Sequence, residues 1–228
     1  MKSNWPIKKL GEIVKNKKDS NGVRIPSINR NGKLVSRLMV VVLGGFDGVL
    51  DKESRLYLRL LGRLVDKSFD EYTIAKKCID EEIKEKDKLA YRFAIINHLE
   101  NCLNAINRVS KIFRILVFGN KNVKKNFNIL NFISKESIKK LKKYKVSTIR
   151  NRVEHIDEDI YENKFESGLF LDVNGKYEKV CINNRCLSLS ELALIIENYH
   201  NFVLEIFDNL PNRIQDGVYY YDKKYIYV

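Results

Sequence analysis

Between Leu89 and Phe118 the apolar residues Ile95, Leu99, Cys102, Ile106, Val109 and Phe113 recur at alternating steps of four and three, which predicts one buried face of a long helix. At 1.5 Å per residue such a helix runs about 40 Å, the length of a bundle. Gly119 and an Asn- and Lys-rich stretch up to Asn131 end it. A second helix is expected from Ser134, with Val146, Ile149, Val153, Ile156 and Ile160 at the same spacing and packed antiparallel to the first. A third follows Ser188 and Glu191, which read as a capping box, buries Leu192, Ile195, Tyr199, Phe202 and Ile206, and stops at Pro211. Shorter helical patterns occupy residues 53–65 and 69–85.

After Phe165 the period changes from helical to alternating. Leu169 to Val173, the pair Asn174-Gly175 and Tyr177 to Ile182 read as a β-hairpin, Asn-Gly being a favoured two-residue turn. Tyr219, Tyr221, Tyr225 and Tyr227 around Asp222-Lys223-Lys224 predict a second, terminal hairpin. The expected fold is therefore mainly α: an antiparallel helical bundle with a β-hairpin insertion at 168–187 and a small C-terminal β-hairpin. It divides into a basic arm (1–35), an N-terminal helical extension (36–84), a helical core (85–211) and a β tail (212–228).

Composition adds limits. With 44% hydrophobic residues the chain can bury a core, and disorder is excluded. The longest apolar run, Leu38 to Leu43, is far shorter than the roughly 20 residues of a membrane-spanning helix, and the N-terminus lacks a signal pattern. The expectation is a cytoplasmic protein with no membrane partner. Cys78, Cys102, Cys181 and Cys186 contain no C-x-x-C pair and are read as buried free thiols in a reducing compartment, with no metal site. The string Phe46-Asp47-Gly48-Val49-Leu50, after Gly44-Gly45, resembles the nucleophile loop of haloacid-dehalogenase phosphatases, but Gly45 stands where that chemistry needs an aspartate. It is read as a glycine-rich turn.

The net charge of +13 favours an anionic partner, nucleic acid first. Its placement sharpens this. From Lys111 to Arg152 there are thirteen basic residues against one acid, Glu136, a net +12. Lys139, Lys140, Lys142, Lys143, Lys145 and Arg152 are the candidate RNA-binding residues, since neutralising phosphates supplies most sequence-independent affinity. Phe127, Phe132 and Tyr144 are available for stacking unpaired bases.

This basic stretch leads into Arg150-Asn151-Arg152-Val153-Glu154-His155. Asn151 and His155 are four apart on one helical face, with Arg150 on its flank. Arginine clamps a phosphate with two donors, and histidine titrates near neutral pH, where it exchanges a proton with a ribose 2′-hydroxyl or a leaving 5′-oxygen. The segment resembles the signature helix of the HEPN superfamily, in which arginine and a polar residue precede a histidine by four to six residues. Over about residues 85–210 the order of two long helices around a basic loop is similar to that family's core.

The resemblance implies a HEPN-like bundle and a metal-independent endoribonuclease without cofactors, with Arg150, Asn151 and His155 as catalytic residues. It also implies a homodimer in which two copies of the motif converge, and a toxin or antiviral-defence role with an antitoxin or defence-system partner. The alternative is a non-catalytic HEPN-like module that binds RNA or protein. His98, beside Asn97, Asn101 and Asn104 and off the apolar stripe, is a second candidate for proton transfer; His200 is read as structural.

Overall fold

The apolar stripe predicted for Leu89–Phe118 forms a helix with those bounds, and Ile95, Leu99, Cys102, Ile106, Val109 and Phe113 are all buried along it. This computed structural model describes residues 26–28, 30, 34–85, 89–119, 128–142, 161, 172–173, 177–182, 185–210, 218–221 and 224–227. In order they form α1 (Leu34–Val42), α2 (Lys52–Glu85), α3 (Leu89–Phe118), a 3-10 turn (Asn128–Phe132), α4 (Lys135–Leu141), β1 (Asp172–Val173), β2 (Lys179–Ile182), β3 (Arg185–Ser188), α5 (Leu189–Asn209), β4 (Val218–Tyr221) and β5 (Lys224–Tyr227). The protein is mainly helical. Among the described residues no helix is long and apolar enough to cross a membrane.

The long helices α2 and α3 pair as an antiparallel hairpin. Glu71 meets His98 at 2.7 Å, the Cys102 thiol donates to the Ser68 carbonyl at 3.3 Å, and Arg92 lies 3.9 Å from Glu82, so the register is fixed from the middle of the pair to its closed end. Helix α5 packs over this pair. Phe113 meets Tyr199 and Phe202 edge-on at centroid distances of 6.0 and 5.3 Å, an arrangement that adds about 0.5–1.5 kcal/mol per pair beyond the area buried. The buried cluster is continuous from Leu34 to Leu210, so α2, assigned to an extension from its sequence, shares one core with α3 and α5.

Two helical patterns were expected over 53–65 and 69–85, and α2 instead runs unbroken for 34 residues. Asp66, Lys67 and Ser68 interrupt the apolar stripe, but Lys67 faces solvent and partners satisfy the other two in helical conformation. The Ser68 hydroxyl donates to Val65 at 2.7 Å, and Arg30 reaches Asp66 at 2.5 Å and Asp70 at 3.2 Å while lying over the Phe69 ring. The Tyr72 hydroxyl donates to the Pro26 carbonyl at 3.0 Å, so part of the predicted arm is docked on α2. At Gly62 helix α1 crosses closely: a Cβ there would sit 2.7 Å from Leu38. The glycine-rich turn after α1 forms as read, with Gly44 at φ +84°, a conformation that disfavours a side chain.

The predicted second helix starts at Ser134, whose side chain accepts from the Ser137 amide, but this first segment ends at Leu141 with Lys142 as its cap. Residues 143–160 lie outside the described ones. The third helix matches its prediction, with the Ser188 hydroxyl accepting from Glu191 N–H at 3.0 Å.

Between α4 and α5 the expected hairpin is a three-stranded antiparallel sheet, β1–β2–β3. Asn174-Gly175 is not its two-residue turn: Val173 pairs with Val180, leaving six residues between them. The two-residue connection is Asn183-Asn184, since Ile182 pairs with Arg185. This register aligns Val173, Val180 and Leu187 in one buried row against the helices. Arg92 holds the sheet to the helix pair, donating to the Val173 carbonyl and lying over the Tyr177 ring at 5.6 Å.

The cysteine reading needs correction here. Cys181 and Cys186 face each other across β2 and β3 with Cα atoms 4.1 Å apart, and are joined in a disulfide. Cysteine usage therefore does not support a reducing compartment. Cys102 is a buried thiol and Cys78 a half-buried one, and burial pushes both thiols up, away from the reactive thiolate. The terminal tyrosine-rich hairpin forms as β4 and β5, with Tyr221 paired to Lys224 around Asp222-Lys223.

His200 is fully buried, against the Phe69 ring at 5.6 Å, and neither ring nitrogen has a hydrogen-bond partner among the described residues. Burial lowers its pKa below the ordinary 6.5; nearby Asp66 opposes and Arg30 reinforces the shift. The unfolded chain then takes up a proton near pH 6.5 that the folded chain refuses, so stability is full above this value and declines as pH falls below it. Denaturant unfolding between pH 7.5 and 5 should show this decline, and the His200→Leu variant should show a flatter profile.

Candidate nucleic-acid interface

Helix α4 is short, and seven residues do not make a stable helix by themselves. Its position is fixed by a carboxylate on α5. Glu205 accepts from the Ser134 backbone N–H at 2.7 Å with one oxygen and from the Ser137 hydroxyl with the other, while Ser134 Oγ accepts from the Ser137 amide at 3.2 Å. Burial pushes the Glu205 pKa up, but the hydrogen bonds from Ser137 and Ser134 outweigh it and hold the group below the usual carboxylate value. Asn209, also on α5, donates to the Phe132 carbonyl at 3.0 Å and secures the turn before α4. Leu141 is the buried anchor.

With that side of α4 committed to α5, Lys135, Lys139, Lys140 and Lys142 are exposed. Lys142 Nζ lies 4.6 Å from the centre of the exposed Phe118 ring, a cation–π contact that joins the end of α4 to the end of α3. Phe118 closes a row on the solvent face of α3: Arg108, Lys111, Arg114 and Phe118 are all exposed, at steps of three, three and four. None of those three basic residues has an ion-pair partner among the described residues. The surface presents guanidinium and ammonium groups beside one aromatic ring, which suits a phosphate backbone with an unpaired base stacked alongside.

Of the residues selected from the sequence, Lys139, Lys140 and Lys142 are therefore solvent-facing on α4, and Lys142 is brought to the basic row of α3. Lys143, Lys145, Arg150, Asn151, Arg152 and His155 lie outside the described residues, as do Phe127 and Tyr144. Phe132 packs partly buried against the core. His98 is held by Glu71 in the α2–α3 seam, and His200 is buried under α5 as its apolar surroundings implied. Sequence reasoning missed Arg108, which its three-residue step before Lys111 could have revealed. It also missed Glu205, for which no local signal exists, because the partners are 68 and 71 residues away.

Glu205→Ala removes no basic residue yet removes the acceptor that places α4. It should lower stability by about 1 kcal/mol, the scale of a lost N-cap, and weaken binding of a single-stranded RNA oligomer in fluorescence anisotropy. Unchanged RNA affinity would show that the placement of α4 is immaterial to the surface.

No protein-family model, curated protein or solved structure matches the chain.

Proposed function

We propose that the protein is a metal-independent endoribonuclease of HEPN type, a helical bundle that binds single-stranded RNA or RNA loops on the α3–α4 surface and cuts it at Arg150, Asn151 and His155. The observation that carries this reading is the exposed basic row of α3, without an ion-pair partner among the described residues, meeting Lys142 at the end of α4, from which Arg150 is eight residues on in sequence. On this reading, lysines that track phosphates precede in sequence the groups that act on them.

The chemistry follows from the residue types. The ribose 2′-oxygen attacks phosphorus, the bond from phosphorus to the 5′-oxygen breaks, and the products carry a 2′,3′-cyclic phosphate and a 5′-hydroxyl. Arg150 stabilises the charge on the phosphoryl oxygens with two parallel donors, and Asn151 orients the phosphate or the imidazole. His155 removes the 2′-hydroxyl proton or supplies the proton to the leaving oxygen. One histidine in a single site does not perform both transfers in one step, so a second copy across a two-fold axis completes the acid–base pair, and the active form is a homodimer. A role in a toxin or antiviral-defence system, with a cognate antitoxin, accords with such an activity.

His155→Ala should reduce cleavage of total RNA, in buffer containing a chelator, by about a hundredfold or more, the scale of general acid–base catalysis, while leaving RNA binding intact. Cleavage at the wild-type rate would sink the site assignment. Wild-type protein that binds RNA and never cuts it would instead identify a non-catalytic RNA-binding module.

A further inference from the structure

The α2–α3 register places the N-terminal half of α2 beside the C-terminal half of α3. The two halves of α2 differ in charge: residues 52–68 hold five basic and two acidic residues, and residues 69–85 three basic and six acidic. Toward the closed end of the hairpin Lys76 pairs with Asp80, Lys84 with Glu81, and Arg92 of α3 with Glu82, while Lys77 has no ion-pair partner among the described residues. At the other end Arg55 pairs with Asp47, and Arg59, Arg63 and Lys67 form an exposed row with no ion-pair partner among the described residues. The row advances four residues at a time, about 6 Å per step along the axis. It lies level with the C-terminal half of α3, which carries Arg108, Lys111 and Arg114.

An apolar wall accompanies the row. Arg63 and Lys67 line an open groove of about 480 Å³ with Leu38, Met39 and Val42 of α1 and with Asp66, Asp70 and Glu71 of α2; Arg30 pairs with both aspartates and His98 with Glu71, and Met39 and Val42 are half exposed. Burying these side chains against an uncharged planar surface is favourable, whereas the adjoining guanidinium and ammonium groups stay solvated unless an anion meets them. A chain with regularly repeated phosphates and flat, largely apolar bases satisfies both walls at once.

We propose that the row Arg59, Arg63 and Lys67 is a second phosphate-binding track, which takes the backbone of a single-stranded RNA after it leaves the α3–α4 surface and sets the bases against Met39 and Val42. The proposal rests on the RNA-binding reading above and assigns α2 a role in substrate length: a short RNA reaches one surface, and a longer one spans both. Recognition is independent of sequence, because every contact on the basic row is to phosphate.

The test uses a 2′-O-methyl oligouridine 20-mer, which has no free 2′-hydroxyl and is not cut. Its affinity is measured against salt concentration for the wild type and three sets of glutamine substitutions. The first set is Arg59→Gln, Arg63→Gln and Lys67→Gln. The second is Lys76→Gln, Lys77→Gln and Lys84→Gln, removing the same charge from the closed end. The third is Lys111→Gln, Arg114→Gln, Lys139→Gln, Lys140→Gln and Lys142→Gln. All these positions except Lys142, the cap of α4, lie on helices where glutamine is well tolerated, and circular dichroism checks that each variant folds.

Each lost phosphate contact lowers the slope of log affinity against log salt by about 0.7 for a single strand. The first set should lower it by about 2 and the second should leave it unchanged. Equal losses in both would reduce the effect to net charge and overturn the proposal. No loss in the first set with a clear loss in the third would confine RNA to the α3–α4 surface, overturning the track while the RNA-binding reading stands. No loss in any set would overturn both.

Discussion

The antiparallel pairing of α2 and α3 is the constraint on which everything else depends. A helix of 34 residues and one of 30 have large apolar surfaces that only another long helix can cover along their length, and the short connection between them leaves an antiparallel hairpin as the solution. Once this hairpin is in register, α5 has a two-helix groove to fill, α1 has Gly62 to cross, and the three-stranded sheet has Arg92 to hold it. The polar contacts in the seam select one register among those that hydrophobic burial alone would accept. Glu71 with His98 and Ser68 with Cys102 act as alignment marks.

The parts of this architecture that were legible in the sequence are those determined by local pattern. The stripe from Ile95 to Phe113 and the cap at Ser188 gave α3 and α5 their bounds, because a helix that buries one face over many turns leaves an unambiguous period. The parts that were not legible depend on distant partners. Asp66 and Ser68 look like a break in α2 until Arg30, 36 residues earlier, is seen to neutralise the aspartate. Asn174-Gly175 has the chemistry of a tight turn, yet the buried row Val173, Val180 and Leu187 selects a different register, since a slip of one residue would turn that row to solvent. The disulfide follows from the same register and was invisible to spacing alone.

The surface was partly legible. A run of lysines announces itself in any sequence, and Lys139, Lys140 and Lys142 are solvent-facing as their type requires. Which lysines are free to meet a partner is a different question, and charge counting does not answer it. On α2 Arg55, Lys76 and Lys84 are matched by acids whereas Arg59, Arg63 and Lys67 are not, and only the fold distinguishes them. Glu205 shows the converse: an acid beneath a basic surface, placing the helix that carries the positive charge.

The difference between the two ends of the helix hairpin acts before any contact forms. The excess of basic residues in the first half of α2 and of acidic residues in the second gives this helix a charge gradient along its length, in addition to the net charge of the chain. In the field of a polyanion such a body experiences a torque and turns its open end forward during approach, within the roughly 8 Å over which physiological salt leaves the field unscreened. For the RNA partner proposed above, a larger share of collisions would begin in a productive orientation, and the charge gradient of α2 would raise the rate of encounter even where it adds little to the final affinity.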